Sequence, residues 1–115
     1  MADDQFKNTF TDRRSLPRFS PNPATTCEIR DVDETATQSA TVNNISSNGI
    51  NIIVSTPIAP GTALILTLLN KTGPFVQRTV AVRVMRASQQ ADGNYALGCA
   101  FQSQLTGHEL LALAL

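Results

Sequence analysis

The sequence predicts an all-β fold: a small six-stranded antiparallel β-barrel, preceded by a flexible arm and closed by a short C-terminal helix. Three observations predict it. Apolar segments of strand length recur along the chain from residue 24 onward, Gly-, Asn- and Pro-containing breaks separate them, and the longest segment alternates with period two. A length of 115 residues and a mass of 12.4 kDa suit a single domain, and 42% apolar residues suffice for a compact core.

Residues 1–23 differ from the rest. They are polar, show neither strand nor helix periodicity, and hold three of the six prolines, Pro17, Pro21 and Pro23. This segment reads as an extended arm, ordered only where it docks, with Leu16 as a candidate anchor. Residues 24–115 form the barrel and its helix. The first strand is Thr25–Arg30, followed by a polar connection over Val32–Gln38. Ser39–Ile45 and Ile50–Ser55 form a hairpin around Ser46–Gly49, where Asn48-Gly49 suits a positive φ. Thr56–Gly61 breaks regular structure before a fourth strand, Ala63–Leu69, in which Ile65–Leu69 is apolar on both faces. Asn70–Pro74 turns into a long fifth strand, Val76–Ala87. There Val80, Val82 and Val84 alternate with Ala81, Arg83 and Met85, and a regular strand places Arg83 and Arg86 on opposite faces. Ala91–Asn94, centred on Asp92-Gly93, leads to the sixth strand, Tyr95–Phe101. Thr106 with Glu109 makes a capping-box pattern, Leu105 and Leu110 a hydrophobic staple, and Leu110, Leu111, Leu113 and Leu115 the apolar side of a helix. So short a helix is marginal alone and must pack on the barrel or on another chain.

Composition excludes several functions. Nine basic and nine acidic residues give zero net charge, and the aromatic content is 5% with no Trp. Neither a non-specific nucleic-acid coat nor an aromatic stacking platform is expected. Cys27, Cys99 and His108 are too few for a structural zinc site, and the acidic group Asp31, Asp33 and Glu34 lacks the Gly and Glu that a calcium loop needs. No metal is expected. A single His without a Ser or Cys partner makes no catalytic dyad, so the chain reads as a non-enzyme. The first ten residues lack a signal-peptide pattern, and no apolar run spans a bilayer, so a cytoplasmic protein without membrane contact is expected.

Two clusters carry the chemistry. Arg13, Arg14 and Arg18 supply guanidinium forks that fit phosphate oxygens or the O6/N7 edge of guanine. In Asn44-Ile45-Ser46-Ser47-Asn48-Gly49, period two places the Asn44 and Ser46 side chains on one face with Ile45 turned to the other, and Gly49 permits a tight turn or close approach. Each cluster taken alone also suits an ordinary role, as a solvated tail and a hairpin turn.

In order and spacing the two clusters resemble those of PilZ domains, bacterial receptors for cyclic di-GMP. The arginine motif R-R-x-x-x-R corresponds to Arg13–Arg18, and D/N-x-S-x-x-G to Asn44–Gly49. A weaker pattern, an aromatic followed by Gly and Phe, corresponds to Tyr95, Gly98 and Phe101. The resemblance covers residues 12–115 and implies a split-barrel type of six-stranded fold. It implies that Arg14 and Arg18 clamp the phosphates and guanine edges of cyclic di-GMP, with Arg13 assisting or stacking. It further implies that Asn44 and Ser46 bond a guanine and that Gly49 shapes the turn. Asn stands where the family also uses Asp, so guanine N1–H and N2–H meet only its carbonyl oxygen. The expected function is messenger binding, relayed to an unidentified effector protein by ordering of the arm, in a monomer or weak dimer that needs no cofactor. The alternatives are a PilZ-like interaction scaffold that binds no nucleotide and a small barrel that binds nucleic acid through the arm.

Overall fold

The computed structural model describes residues 17–21, 25–70 and 76–114. Six strands run in the predicted order: β1 (Thr25–Asp31), β2 (Gln38–Ile45), β3 (Gly49–Val54), β4 (Ala63–Asn70), β5 (Val76–Gln89) and β6 (Tyr95–Phe101), followed by helix α1 (Gly107–Ala114). They close into a barrel in the order β1-β2-β3-β6-β5-β4, and every neighbouring pair is antiparallel.

Closure follows from the side-chain pattern. Alternate residues of each strand turn inward: Ile50, Ile52 and Val54 on β3, Leu64, Leu66 and Leu68 on β4, and Val80, Val82 and Val84 on β5 are all buried. Leu97, Cys99 and Phe101 on β6 and Cys27 and Ile29 on β1 complete the interior. These belong to one continuous apolar cluster, which Leu105, Leu110 and Leu113 join from the C-terminal segment.

The helix is capped as the sequence predicts. The Thr106 amide donates to Glu109 Oε1 at 2.9 Å, and the Glu109 amide donates to Thr106 Oγ1 at 3.1 Å. Helix α1 packs against β4 and β5. It is pinned there by the Arg78–Glu109 ion pair and by the Thr25 hydroxyl, which donates to the Leu113 carbonyl at 2.8 Å. The packing surface that the short helix needs is thus the chain's own barrel.

Two β-bulges modify the regular alternation. Between Val42 and Asn44 the register against β3 shifts, so Asn43 is the extra residue. Between Val84 and Arg86 the register against β6 shifts, so Met85 is the extra residue. The second bulge corrects the expectation that Arg83 and Arg86 face opposite ways. Arg83 pairs with Ala100 and Arg86 with Gly98, and those partners alternate with the inward Leu97, Cys99 and Phe101. Both arginines therefore face outward. The hairpin turn also differs from expectation. Among the described glycines, only Gly61 (φ 93°) and Gly93 (φ 89°) have positive φ, so the Asp92-Gly93 turn holds but Gly49 does not adopt that conformation. Gly49 is instead the first residue of β3, required for close approach.

Candidate functional site at the barrel rim

The arm meets the barrel at the end of β2. Phe19 pairs with Ile45 in an isolated antiparallel bridge, through amide-to-carbonyl bonds of 2.8 and 2.9 Å. The Phe19 ring is half-buried against the core cluster, so the anchor in the described part of the arm is Phe19. Leu16, the anchor suggested by the sequence, lies outside the described residues, as do Arg13 and Arg14.

This docking delivers Arg18 to the second motif. Arg18 Nη1 donates to Asn44 Oδ1 at 2.9 Å across 26 positions of sequence. A Cβ placed on Gly49 would lie 3.5 Å from Arg18 Nη2 and 2.8 Å from the Cys99 carbonyl oxygen. Gly49 is thus the residue over which the guanidinium and the backbone of β6 approach each other. Arg18, Asn44 and Gly49 converge as the motif spacing suggests.

Ser46 is placed differently. Ile45 turns inward and is buried, as period two requires, but Ser46 lies just beyond β2 and is only 1% exposed. Its hydroxyl donates to Asn48 Oδ1 at 2.8 Å, with the Gly49 carbonyl 3.3 Å away. Its amide donates to the same carbonyl at 2.9 Å. The serine therefore shapes the turn from beneath and orients Asn48, rather than standing beside Asn44 on an open face. The turn breaks the strand alternation on which the expectation rested.

An open groove of about 810 Å³ adjoins these residues on the outer wall. Its lining includes Arg18, Asn48 and Gly49 from the arm and turn, Asn51 from β3, Met85 and Arg86 from β5, and Gly98 and Ala100 from β6. The volume is within the range typical of small-molecule sites. Asn51 Oδ1 is buried there with no hydrogen-bond partner. Asn48, Asn51, Met85 and Arg86 are residues that sequence reasoning missed as site members. The alternation Ile50-Asn51-Ile52 does point Asn51 outward, whereas the bulge that reorients Arg86 has no Gly or Pro to signal it.

Among its described lining residues the groove has no Asp, Glu or His. Cys27 and Cys99 are free and buried, and burial pushes their thiols up to about 12 and about 11. Both stay protonated at neutral pH. Among the described residues no group of three or more His, Cys, Asp or Glu side chains could hold a metal ion. No helix among them is long and apolar enough to cross a membrane.

Six antiparallel strands closed into a barrel, with Arg18 of the arm bonded to Asn44 at its rim, define the architecture. A family model for the PilZ domain matches residues 12–114, and the chain belongs to that family. No curated protein matches it. Among solved structures, the Bacillus subtilis inhibitor of motility MotI/DgrA aligns with a TM-score of 0.68 at 16% identity, covering 89% of this chain and 48% of that one. The cyclic di-GMP-bound PilZ domain of YcgR from Escherichia coli aligns with a TM-score of 0.63 at 15% identity, over 89% of this chain and 86% of that domain. The K. pneumonia MrkH–c-di-GMP complex gives 0.63 at 19% identity, over 80% and 45%. The chain thus spans about half the length of MotI/DgrA and MrkH and most of the YcgR domain. At these identities the likeness establishes the shared fold.

Proposed function

We propose that this chain is a receptor domain for cyclic di-GMP, taking the messenger between the arginine arm and the outer wall beside residues 44–49. The observation that carries the reading is the Arg18–Asn44 hydrogen bond, which joins the two sequence motifs at one rim. Cyclic di-GMP brings two phosphate charges and two guanines. Arg14 and Arg18 clamp phosphates and O6/N7 edges, with Arg13 assisting or stacking. Asn44 bonds a guanine, Gly49 keeps the approach clear, and Ser46 holds the turn. Charge-assisted bonds contribute about 1.5–3 kcal/mol each, against about 1–2 kcal/mol for each arm residue fixed.

The signal is relayed by ordering of the arm on binding, and the arm's Phe19 is bridged to Ile45. The relay passes to a partner protein through the repositioned arm. The Arg18–Asn44 and Ser46–Asn48 hydrogen bonds take up groups that the motif would offer a ligand, which favours a second reading: a scaffold of the same fold that binds no nucleotide.

Titration calorimetry with cyclic di-GMP, GTP and a short oligonucleotide separates these readings. The expected result is binding of cyclic di-GMP alone, lost in Arg14→Ala and Arg18→Ala. Arg18 is exposed, so its variant should keep its stability within about 0.5 kcal/mol. Equal binding by parent and both variants would refute the site, and no binding by the parent would favour the scaffold.

A further inference from the structure

Four outward-facing positions form a continuous row across the barrel wall. Asn44 pairs with Asn51, Asn51 with Gly98, and Gly98 with Arg86, so the row crosses β2, β3, β6 and β5 in turn. Both bulges contribute: one brings Asn44 opposite Asn51, the other brings Arg86 opposite Gly98. At about 4.8 Å between strands the row is about 14 Å long. Arg18 lies at one end, bonded to Asn44, and Arg86 at the other. Gly98 is the low point, where an added Cβ would lie 3.1 Å from Arg86 Cγ and Nε.

Two of these residues have hydrogen-bonding capacity that the protein does not use. Arg18, Arg30, Arg78 and Arg83 each bond an oxygen of the chain. Among the described residues Arg86 has no such partner, although it is exposed on the groove. Asn51 Oδ1 is a buried acceptor with no donor. The corresponding oxygen of Asn44 already accepts from Arg18. Asn44 keeps one lone pair for a guanine, and a second acceptor, with both lone pairs unused, stands one strand over from the motif.

We propose that Asn51 and Arg86 are guanine-reading residues of this groove, holding one base over Gly98. The Asn51 carbonyl oxygen accepts from guanine N1–H or N2–H, and the Arg86 fork donates to the O6/N7 edge. N1–H and N2–H lie on the Watson–Crick edge and N7 on the Hoogsteen edge, with O6 at the corner between them, and Asn51 and Arg86 flank the glycine on the strands either side of it. Adenine in the same position would turn its N1 acceptor toward the Asn51 oxygen and its N6 amine toward Arg86, mismatching both contacts. This inference rests on the cyclic di-GMP reading and adds its base selectivity.

The test is calorimetry on the full chain with cyclic di-GMP and cyclic di-AMP. Arg86→Ala should weaken cyclic di-GMP by about tenfold or more, the scale of a lost charge-assisted bond. Arg86→Lys should remain weakened, because it keeps the charge without the fork. Asn51→Leu should also weaken cyclic di-GMP and narrow the gap to cyclic di-AMP, whereas Asn51→Asp, which retains acceptors, should bind better than Asn51→Leu. Arg83→Ala, on the same strand but bonded to the Gly61 carbonyl, should bind like the parent. Thermal melts of every variant separate lost contacts from lost folding. Parent-like affinity and selectivity in Arg86→Ala and Asn51→Leu, with binding lost in Arg18→Ala, would overturn this assignment and leave the receptor reading standing. A parent that binds no cyclic di-GMP would overturn both.

Discussion

Gly49 has no room for a side chain, and the reason is proximity rather than backbone sign. An alanine there would press its methyl against the Cys99 carbonyl, a main-chain atom with little freedom to move. Gly49→Ala should cost about 1–3 kcal/mol, the usual penalty of overpacking, read as a lower midpoint in chemical denaturation. The motif marks this position in the sequence, but the obstacle comes from β6, 50 residues away. Arg18 and Asn44 were likewise legible from residue type and spacing. Ser46 was legible as part of the turn motif but not in orientation, because strand parity ceases where the turn begins. Arg86 was not legible, because one extra residue on β5 reverses the side that a regular strand would assign.

At the level of elements, the capping box supplies the clearest titration. The Thr106 amide, and then Arg78, lower the Glu109 pKa below its ordinary carboxylate value, and partial desolvation opposes them. A carboxylate depressed by folding adds stability that is present above its unfolded pKa and disappears as pH falls through the folded one. Acid should therefore loosen α1, and in Glu109→Gln that acid-dependent part should be missing from stability measured between pH 6 and about pH 3. The exposed Arg78 partner keeps the ion pair's share small. Thr106→Ala removes the cap itself and should cost about 1 kcal/mol. The helix was readable from Thr106, Glu109 and the leucines, and the strands from their alternation. The bulges were not, because neither Asn43 nor Met85 is the Gly or Pro that announces one.

For the whole molecule, zero net charge conceals a local imbalance: two guanidinium groups border one groove while the other described arginines bond elsewhere. On the proposed reading, affinity for an anionic ligand arises from placement and not from bulk charge. The interior is equally decided. Cys27 and Cys99 are raised mainly by burial, and in the case of Cys27 also by the neighbouring Cys99 and Glu28. Native protein at pH 7.5 should react with a thiol reagent far more slowly than denatured protein, in which both cysteines react. Fast native labelling would show that the barrel opens readily.

The ring of strands has a consequence for recognition. Each strand already has a hydrogen-bonded neighbour on both sides, and Phe19 takes the backbone groups left at Ile45. An extended peptide cannot annex itself to this sheet as it does in domains that bind by β-augmentation. A partner has to read the side chains of the outer wall or the arm itself, and those are the parts of the molecule that a nucleotide in the groove would cover or reposition.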